Sequence, residues 1–427
     1  MPTIEPREFL TRVYQAGVEA ADPHRVTREA VAQLSDLAHE TWVFAIGKGS
    51  HGMASGAVES LRERGVRVGG GLVVAPASDP SATPRLEFAQ GDHPTPGDGS
   101  FRAADRLGAI AASVEHDADA IVLVSGGATS LIAAPIEGIT GPELVAVFET
   151  LLASGADISL MNAIRKRLLR FGGGRLALAL PSRRVHCLIA SDVIGNDPAS
   201  IASGPCVGDS GRAGDVPARA VAIGVWDRLS LRVRQHIETT DLPRPDHARF
   251  VTTAVRVILD RTHAEHGAAV EALRLGARVQ VRSDPLSGKA ATVGQEFARQ
   301  LVGGRRQAHQ CIIWSGETTV TLQPNSGRGG RCQEFALACA LALENAGDAA
   351  KGITVLAAGT DGRDGPTDAA GAIVDGSTCS AIRQTGTEPA ALLRDHASYN
   401  ALDSVGALLR TGPTGTNVND LVISLLS

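Results

Sequence analysis

Lysine is almost absent from this sequence. The 427 residues contain only Lys48, Lys166, Lys289 and Lys351, and arginine carries the rest of the positive charge. The formal net charge is −5, and no lysine- or arginine-rich run occurs. These absences argue against a general nucleic-acid binder. A lysine that is kept inside a glycine-rich loop, as Lys48 is, therefore becomes a candidate functional residue.

Signals for secretion, for membrane insertion and for metal-binding cysteines are missing as well. Residues 1–5 have neither the basic nor the apolar segment of a leader, and no apolar run is long enough to span a bilayer. The six cysteines show no Cys-x-x-Cys pair and no zinc spacing. We expect reduced, mostly packed thiols in a cytoplasmic protein that binds neither nucleic acid nor a membrane.

The chain does have a clear alternation of strand and helix patterns. With 427 residues, 43% of them hydrophobic, it can bury a large core in about two or three domains. Strand patterns cover 41–46, 66–75, 120–124 and 185–190, with helix patterns between them. This predicts an α/β fold with a mostly parallel sheet and a ligand site at the carboxyl ends of its strands. The pattern weakens over 210–245, which we interpret as the connection to a second α/β domain.

A glycine-rich loop in the second half separates predicted strands from a predicted helix. An apolar run at 311–314 and an alternating run at 318–322 predict two strands, the second stopped by Pro324 and Asn325. Residues 333–345 then predict an apolar helix rich in alanine and leucine.

The loop itself, residues 327–331, predicts an anion site. Gly329 and Gly330 would leave backbone N–H groups exposed at the start of the helix, where the helix dipole favours negative charge. Arg328 and Arg331 would add charge-assisted hydrogen bonds that suit phosphate or carboxylate. The alternative is a tight hairpin-to-helix turn with two solvated arginines.

Residues 47–52 fit the pattern G-x-G-x-x-G after a strand and before a helix, which raises a dinucleotide-binding fold. The acidic residue expected at the end of the second strand is missing, because 74–78 contain none before Asp79. No G-x-x-x-x-G-K-[ST] loop occurs at Lys48 or at Lys289. We therefore interpret Lys48 as a phosphate or substrate contact; the alternative is a lysine at a solvated helix start.

Further polar residues follow predicted strands or lie in loops. Ser125, Gly126 and Gly127 form a strand-to-helix turn that would hold an anion or would only let the helix pack close to the sheet. No G-x-S-x-G pattern surrounds Ser125, which argues against a serine hydrolase. Asp192 ends another strand, where a metal or a substrate hydroxyl would sit. His93 is either a base or a simple hydrogen-bonding residue.

Three carboxylates, Asp361, Asp364 and Asp368, lie within residues 360–368. Hard oxygen ligands on a loop suit Mg²⁺ bound to phosphates. The glycine and glutamate spacing excludes an EF-hand, and the alternative is a surface loop built of Asx turns.

Together these loops resemble the glycerate 2-kinase family, in which a glycerate-kinase amino-terminal domain precedes a MOFRL domain. The resemblance covers nearly the whole chain. It rests on these motifs in order: Gly47-Lys48, His93-Pro94, Ser125-Gly126-Gly127, Asn162 with Arg165-Lys166, 173–177, 191–193 with 201–205, 316–320, 329–331 with 333–334, 359–362 with 364–368, and 411–420.

The resemblance implies ATP-dependent phosphorylation of D-glycerate at its 2-hydroxyl, with Mg²⁺ as the divalent metal. It implies a Rossmann-like domain over 1–240 and a smaller α/β domain over 241–427, which contains the MOFRL region at about 306–420, with the active site in the cleft. The partners are a small hydroxy acid and a nucleotide, and a homodimer is an open option. The alternatives are a kinase for another sugar acid or polyol and an NAD(P)H-dependent hydroxypyruvate reductase.

Phosphoryl transfer depends chiefly on positioning and on neutralising charge, and our hypothesis assigns roles to individual residues on that basis. Lys48 and Arg331 would contact the transferred phosphoryl, and Asp192 or Asp361 would serve the metal or the acceptor hydroxyl. Asp361 and Asp364 would be the metal ligands. The residues expected to bind the nucleotide are Ser125, Gly126, Gly127, Gly329, Gly330, Glu317 and Asn417.

The chain departs from the family at several positions near these motifs. Where the family usually has Lys, His, Ser, Asp and Asn, this chain has, in that order, Gly172, Arg167, Leu169, Asn196 and Cys332. The loss of a lysine and an asparagine near an anion site keeps a different hydroxy acid or a polyol open as the acceptor. Cys332 either faces the bound anion or packs under its helix with Cys339.

Overall fold

The computed structural model describes residues 4–78, 83, 85–304, 309–322 and 326–427. Asp79 and the predicted strand stop at Pro324 and Asn325 lie outside these residues. In the part of the chain that is described, no helix is both long enough and apolar enough to cross a membrane.

The described chain forms two compact units. The N-terminal unit is Pro23–Leu259, and the C-terminal unit is Asp260–Ser427 together with the described residues up to Asp22. The first helix, α1 (Pro6–Ala20), therefore belongs to the C-terminal unit. This division differs from the predicted boundary between 240 and 241, and the limits of the functional domains stay a prediction.

The N-terminal unit is built on a six-stranded sheet with the order β3-β2-β1-β4-β5-β6, in which all neighbouring strands are parallel. The central strands β4 and β5 are buried along their whole length, as expected for a parallel sheet covered on both faces. The strand order reverses between β1 and β4, which is where such sheets bind ligands. The strands are β1 (Glu40–Ile46), β2 (Arg67–Ala75), β3 (Glu87–Gln90), β4 (Asp119–Val124), β5 (Val185–Ala190) and β6 (Thr253–Leu259).

Ten α-helices in the described part of this unit connect and cover the strands. They are α2 (Pro23–Ala32), α3 (Ser50–Glu63), α4 (Asp98–Ala112), α5 (Ala128–Leu131), α6 (Gly141–Leu152), α7 (Ile158–Leu168), α8 (Arg175–Ala179), α9 (Val216–Ala222), α10 (Leu231–Thr239) and α11 (Ala248–Val251). Short 3₁₀ turns lie at Ile201–Ser203, Ala213–Asp215 and Trp226–Arg228. The helix patterns that the sequence shows between these strands include α3, α4, α6 and α7.

The segment 210–245, interpreted above as a connection between domains, folds as part of the N-terminal unit. Val216, Trp226 and Ile237 share one buried apolar cluster with Phe148 and Ile164. The sequence pattern is weak there because the apolar residues are distributed over short helices and a 3₁₀ turn.

The C-terminal unit contains a mixed sheet of seven strands. Six follow the order β12-β11-β10-β13-β9-β7, and β8 also pairs with β9. Strand β13 is antiparallel to both β9 and β10, whereas β7 and β8 run parallel to β9. The strands are β7 (Arg278–Val281), β8 (Leu286–Lys289), β9 (Gln310–Thr319), β10 (Ile353–Gly359), β11 (Gly371–Asp375), β12 (Leu408–Leu409) and β13 (Asp420–Leu426).

The two predicted strands at 311–314 and 318–322 are one continuous strand, β9. Residues 310–316 pair with β13, and residues 316–319 pair with β8, so strand pairing continues past Gly316. The prediction of two separate strands was wrong because the pairing partner cannot be seen in the local sequence.

The central helix of the C-terminal unit, α14, is buried along most of its length and packs in the apolar core with α13. The helices besides α1 are α12 (Arg261–Arg274), α13 (Ala290–Gly303), α14 (Arg331–Ala346), α15 (Thr378–Gln384), α16 (Pro389–Arg394) and α17 (Ser398–Asp403), with a 3₁₀ turn at Gly347–Ala350. The predicted α/β class, with a Rossmann-like parallel sheet followed by a smaller α/β domain, is confirmed.

Candidate active site

Two glycine-rich loops of the N-terminal unit meet where the strand order reverses. The Lys48 N–H donates to the carbonyl of Gly126 at 2.9 Å, and the Gly49 N–H donates to the Ser125 hydroxyl at 3.0 Å. Gly47 has φ +130°, and a Cβ there would lie 2.1 Å from the Ser125 Oγ, so only glycine fits. The loops predicted from the sequence at the ends of β1 and β4 therefore form one hydrogen-bonded structure.

The side chain of Lys48 is exposed at this pair of loops. Its aliphatic stem and the His93 ring both lie against Gly127. Burial of His93, and then the nearby charge of Lys48, lower the pKa of His93 to about 4. His93 is therefore neutral at pH 7, whereas Lys48 supplies a positive charge at these joined loops.

A polar network that the sequence did not predict lies in the same unit. The Ser203 hydroxyl donates to the Asn162 side-chain oxygen at 3.1 Å and lies 3.3 Å from the Thr129 hydroxyl. Ala202 and Ser203 have positive φ angles of 53° and 59°, which are uncommon for residues other than glycine. The network thus holds the loop after β5 in a strained conformation of the kind found at functional sites.

Asp192 follows the end of β5 and is half-buried. The neighbouring turn is fixed by the Ser191 hydroxyl, which accepts the Val193 N–H at 3.2 Å. Asp192 thus lies at the carboxyl end of a parallel strand, as expected from the sequence.

In the C-terminal unit, Arg331 is held by two carboxylates. Its Nε and Nη2 groups donate to the two oxygens of Asp420 at 2.6 and 2.8 Å, and Nη1 lies 2.9 Å from Oε1 of Glu317. Burial opposes the charge of Arg331, but the Asp420 carboxylate outweighs it and raises the arginine's pKa. Asp420 is 1% exposed, so this bidentate pair fixes Arg331 as the helix α14 begins.

Asp364 caps helix α14. Its two oxygens accept the N–H groups of Cys332 and Gln333 at 3.1 and 2.8 Å. Burial raises the pKa of Asp364 to about 7. A Cβ at Gly330 would lie 2.2 Å from the Asp364 Cγ, so glycine is needed there for close packing. The structure therefore gives Asp364 and Gly330 a role in the helix start, and their predicted metal and anion contacts stay predictions.

Asp361 fits a hard cation better than Asp364 does. It is half-buried two residues after the end of β10. Its Oδ1 and the Oδ1 of Asp420 both lie near Gly359, at 3.2 and 3.5 Å from the position that a Cβ would take there. Among the described residues, no group of three or more His, Cys, Asp and Glu side chains is arranged to hold a metal. One or two carboxylates are nevertheless enough for Mg²⁺ when nucleotide phosphates supply the other ligands.

The glycine loop before α14 is held by a neighbouring segment. The Tyr399 N–H donates to the Arg328 carbonyl at 3.1 Å, and the Arg328 guanidinium lies 4.0 Å from the centre of the Tyr399 ring. Arg328 is thus stacked on an aromatic face and is not a fully solvated arginine, and its predicted anion contact stays a prediction.

Cys332 is buried in the same apolar cluster as Cys339. Burial, followed by the nearby charges of Asp420 and Asp364, raises the pKa of the Cys332 thiol well above its ordinary value. This environment favours the packing alternative over a thiol that faces a bound anion.

Two family models match the chain. Residues 9–238 match a domain of unknown function, DUF4147, and residues 310–420 match the MOFRL family. The "Glycerate 2-kinase" of Pyrococcus horikoshii is 31% identical, over 100% of this chain and 99% of that relative. The chain belongs to the glycerate 2-kinase family. The predicted resemblance is confirmed.

The fold of this glycerate 2-kinase family member matches that of a solved relative along nearly the whole chain. The crystal structure described as glycerate kinase from Thermotoga maritima has a TM-score of 0.86 and 32% identity, and it covers 99% of both chains. Another relative, from Agrobacterium vitis, has a provisional hydroxypyruvate reductase name and is 34% identical over 98% of this chain and 94% of its own.

The predicted residues of this family member fall into two groups. In the N-terminal unit, Lys48 lies next to the loop of Ser125, Gly126 and Gly127, and Asp192 follows another strand of the same sheet. In the C-terminal unit, Glu317 contacts Arg331, which begins the helix after Gly329 and Gly330. Asn417 lies half-buried in the loop before β13.

Sequence reasoning missed two residues of the C-terminal group in this glycerate 2-kinase family member. Asp420 is a carboxylate at the start of β13, a strand that is otherwise apolar except for Ser424, and this placement could have marked it as a buried partner. Tyr14 donates its hydroxyl to the Gly359 carbonyl at 2.7 Å, and no local signal links α1 to the end of β10.

Proposed function

We propose that this protein is an ATP-dependent kinase that phosphorylates D-glycerate at its 2-hydroxyl. The observation that carries the proposal is the exposed Lys48 at the joined loops of β1 and β4, in a family whose relatives are named glycerate kinases. Phosphoryl transfer depends chiefly on positioning and on neutralising charge that develops on the phosphoryl oxygens. The exposed Lys48 ammonium would neutralise this charge, and the glycine-rich loops beside it would position the phosphoryl group.

In this mechanism Lys48 contacts the transferred phosphoryl group. The loop of Ser125, Gly126 and Gly127 shapes the adjoining nucleotide site, because its polar groups are held by hydrogen bonds to the Lys48 loop. His93 stays neutral and so does not compete with Lys48 for the anion. Asp192 orients the acceptor hydroxyl. These roles rest on position at the carboxyl ends of parallel strands.

The C-terminal group supplies a second set of charges. Arg331 is oriented by Asp420 and Glu317, and its remaining N–H groups would contact a phosphoryl oxygen. Gly329, Gly330 and Asn417 are proposed nucleotide contacts. Mg²⁺, when bound, would neutralise phosphate charge, and Asp361 would hold it through a carboxylate oxygen.

Metal dependence gives a direct test. Activity is expected to vanish in EDTA and to return with Mg²⁺ or Mn²⁺, and Asp361→Asn is expected to raise the Mg²⁺ concentration needed for half-maximal rate. Asp348→Asn, at an exposed position, is the matched control. A Mg²⁺ titration of Asp361→Asn that overlays the wild-type curve would assign Asp361 to the acceptor or to the loop.

The substrate test is a coupled ADP-release screen with D-glycerate, erythronate, threonate, tartronate and related polyols. ATP turnover is expected only when an acceptor is present, with D-glycerate giving the highest kcat/KM. ATP turnover with a different acid, and none with D-glycerate, would support a kinase but contradict D-glycerate as its substrate. Consumption of NADH with hydroxypyruvate, without any ATP turnover, would refute the kinase. The missing acidic residue after β2 argues against that outcome.

Two further parts of the proposal concern the cell and assembly. The six cysteines are all free and buried, which supports a reducing, cytoplasmic location. A homodimer stays a prediction from the family resemblance, and light scattering after gel filtration measures it.

A further inference from the structure

The last turn of helix α7 buries three consecutive cations. Arg165, Lys166 and Arg167 are 9%, 5% and 1% exposed. Within the described residues, the carboxylate in ion-pair contact with this triplet is that of Asp209, whose Oδ2 lies 2.6 Å from the Lys166 ammonium. Buried charges are costly unless they are paired, so the triplet has an excess of positive charge.

The helix C-terminus explains part of this arrangement. Cations are favoured there, and Arg167 donates to the carbonyls of Ala163 and Gly211 at 2.7 and 2.8 Å. Carbonyl contacts do not cancel a full charge, however. The buried Nε atoms of Arg165 and Arg167 have no hydrogen-bond partner in the described part of the chain. Burial lowers the pKa of both arginines, as expected for cations without a full counter-charge.

A cavity of about 270 Å³ opens beside Lys166 and Arg167. Asn162, Ser200 and the exposed Arg212 also line it. Two of its acidic residues already accept hydrogen bonds from the protein. Asp197 accepts the Ala199 N–H and the Ser200 hydroxyl at 3.1 and 2.6 Å, and Asp209 accepts the Gly211 N–H at 2.7 Å in addition to its pair with Lys166. Asp215 is exposed at the edge.

We propose that this cavity binds a small oxyanion, a phosphate or a carboxylate group, through Lys166 and Arg167. The volume suits a small anion better than a nucleotide, since pockets for larger ligands usually exceed roughly 300 Å³. The inference goes beyond the proposed phosphoryl transfer, because none of the residues assigned to that reaction lines the cavity.

The test measures binding of inorganic phosphate and, separately, of D-glycerate to the full-length protein by titration calorimetry, with NaCl holding the ionic strength constant. Wild type and Lys48→Ala are both expected to bind at least one of the two anions saturably. The anion that binds identifies the source of the oxyanion group. Arg167→His is expected to weaken that binding about tenfold or more, whereas Arg244→Gln, at an exposed arginine outside the cavity, leaves it unchanged.

A second variant keeps the test decisive if Arg167→His does not fold. Lys166→Met combined with Asp209→Asn removes the cationic contact and its buried partner together, so no unpaired charge is left. The same loss of binding is expected. The proposal is overturned if both cavity variants keep the wild-type number of anion sites, if binding is lost in Lys48→Ala alone, or if wild type binds neither anion saturably. D-glycerate bound at the proposed active site counts as a separate site, which the cavity variants keep.

Discussion

Lys48 is a residue whose backbone and side chain have separate tasks. Its N–H joins the β1 and β4 loops, whereas its side chain extends into solvent beside Gly127. A change at the side chain should therefore leave the loops in place.

We expect Lys48→Ala to lower kcat by about a hundredfold or more, because one group that stabilises transition-state charge is worth about 3 kcal/mol. The melting temperature should hardly change. Lys351→Ala is the matched control, since Lys351 is an exposed lysine paired with Asp348. Steady-state kinetics with D-glycerate and a thermal melt check both statements. A Lys48→Ala enzyme with near wild-type turnover would remove this residue from the mechanism.

Asp364 makes stability depend on pH. Its pKa is about 7 in the fold against an ordinary value of 3.8, so between these values the folded state binds a proton that the unfolded state has lost. The free energy of unfolding therefore falls as pH rises through this window. We expect the melting temperature of wild type to fall more between pH 5 and pH 8 than that of Asp364→Asn. Parallel curves for the two proteins would show that Asp364 is ionised throughout.

At the scale of the element, the start of α14 depends on a close approach between Gly330 and Asp364. Gly330→Ala would place a methyl group 2.2 Å from the Asp364 Cγ. Overpacking of this kind costs about 1–3 kcal/mol, so the melting temperature should fall by several degrees. Gly303→Ala is the control, because a Cβ at the end of α13 has no neighbour within 4 Å. Equal melting temperatures for the two variants would mean that the loop relaxes freely.

The elements differ in how far the sequence predicts them. The apolar runs of β4 and β5 and the Ala- and Leu-rich pattern of α14 predict these elements well, because the strands are buried along their whole length and the helix along most of it. The extent of β9 depends on its pairing with β8, and the cap of α14 comes from a carboxylate in another loop. Lys48 and the Ser125 loop could be predicted because both follow predicted strands. The Arg331–Asp420 pair could not, because it joins distant parts of the chain.

For the whole molecule, the assignment of α1 to the C-terminal unit is the main departure from a simple order of domains. Arg7 donates to the Leu408 carbonyl at 3.0 Å, and Tyr14 donates to the Gly359 carbonyl. The helix also packs against α12. It is therefore a structural part of a unit whose other residues begin at Asp260.

Removal of residues 1–22 is expected to destabilise the C-terminal unit alone. Hydrogen exchange should accelerate in β9 and β13, which belong to the unit that loses α1, and should stay unchanged in β4 and β5. Tyr14→Phe should give a smaller effect in the same strands, since one buried hydrogen bond is worth about 1 kcal/mol. Faster exchange in β4 and β5 as well would mean that α1 supports the whole chain.

The C-terminal unit is made of two chain segments separated by the whole N-terminal unit, and this affects the order in which the units fold during synthesis. Domains generally fold as units as they emerge, and Pro23–Leu259 is continuous, so it has all its strands while the rest is still being made. Helix α1 precedes the N-terminal unit along the chain, whereas its partners α12 and β10, and the last strand of their sheet, β13, all follow that unit. Helix α1 is thus synthesised before the whole N-terminal unit but meets its native neighbours only after it. Its apolar face, including Phe9, Leu10 and Val13, stays uncovered by them while that unit is made.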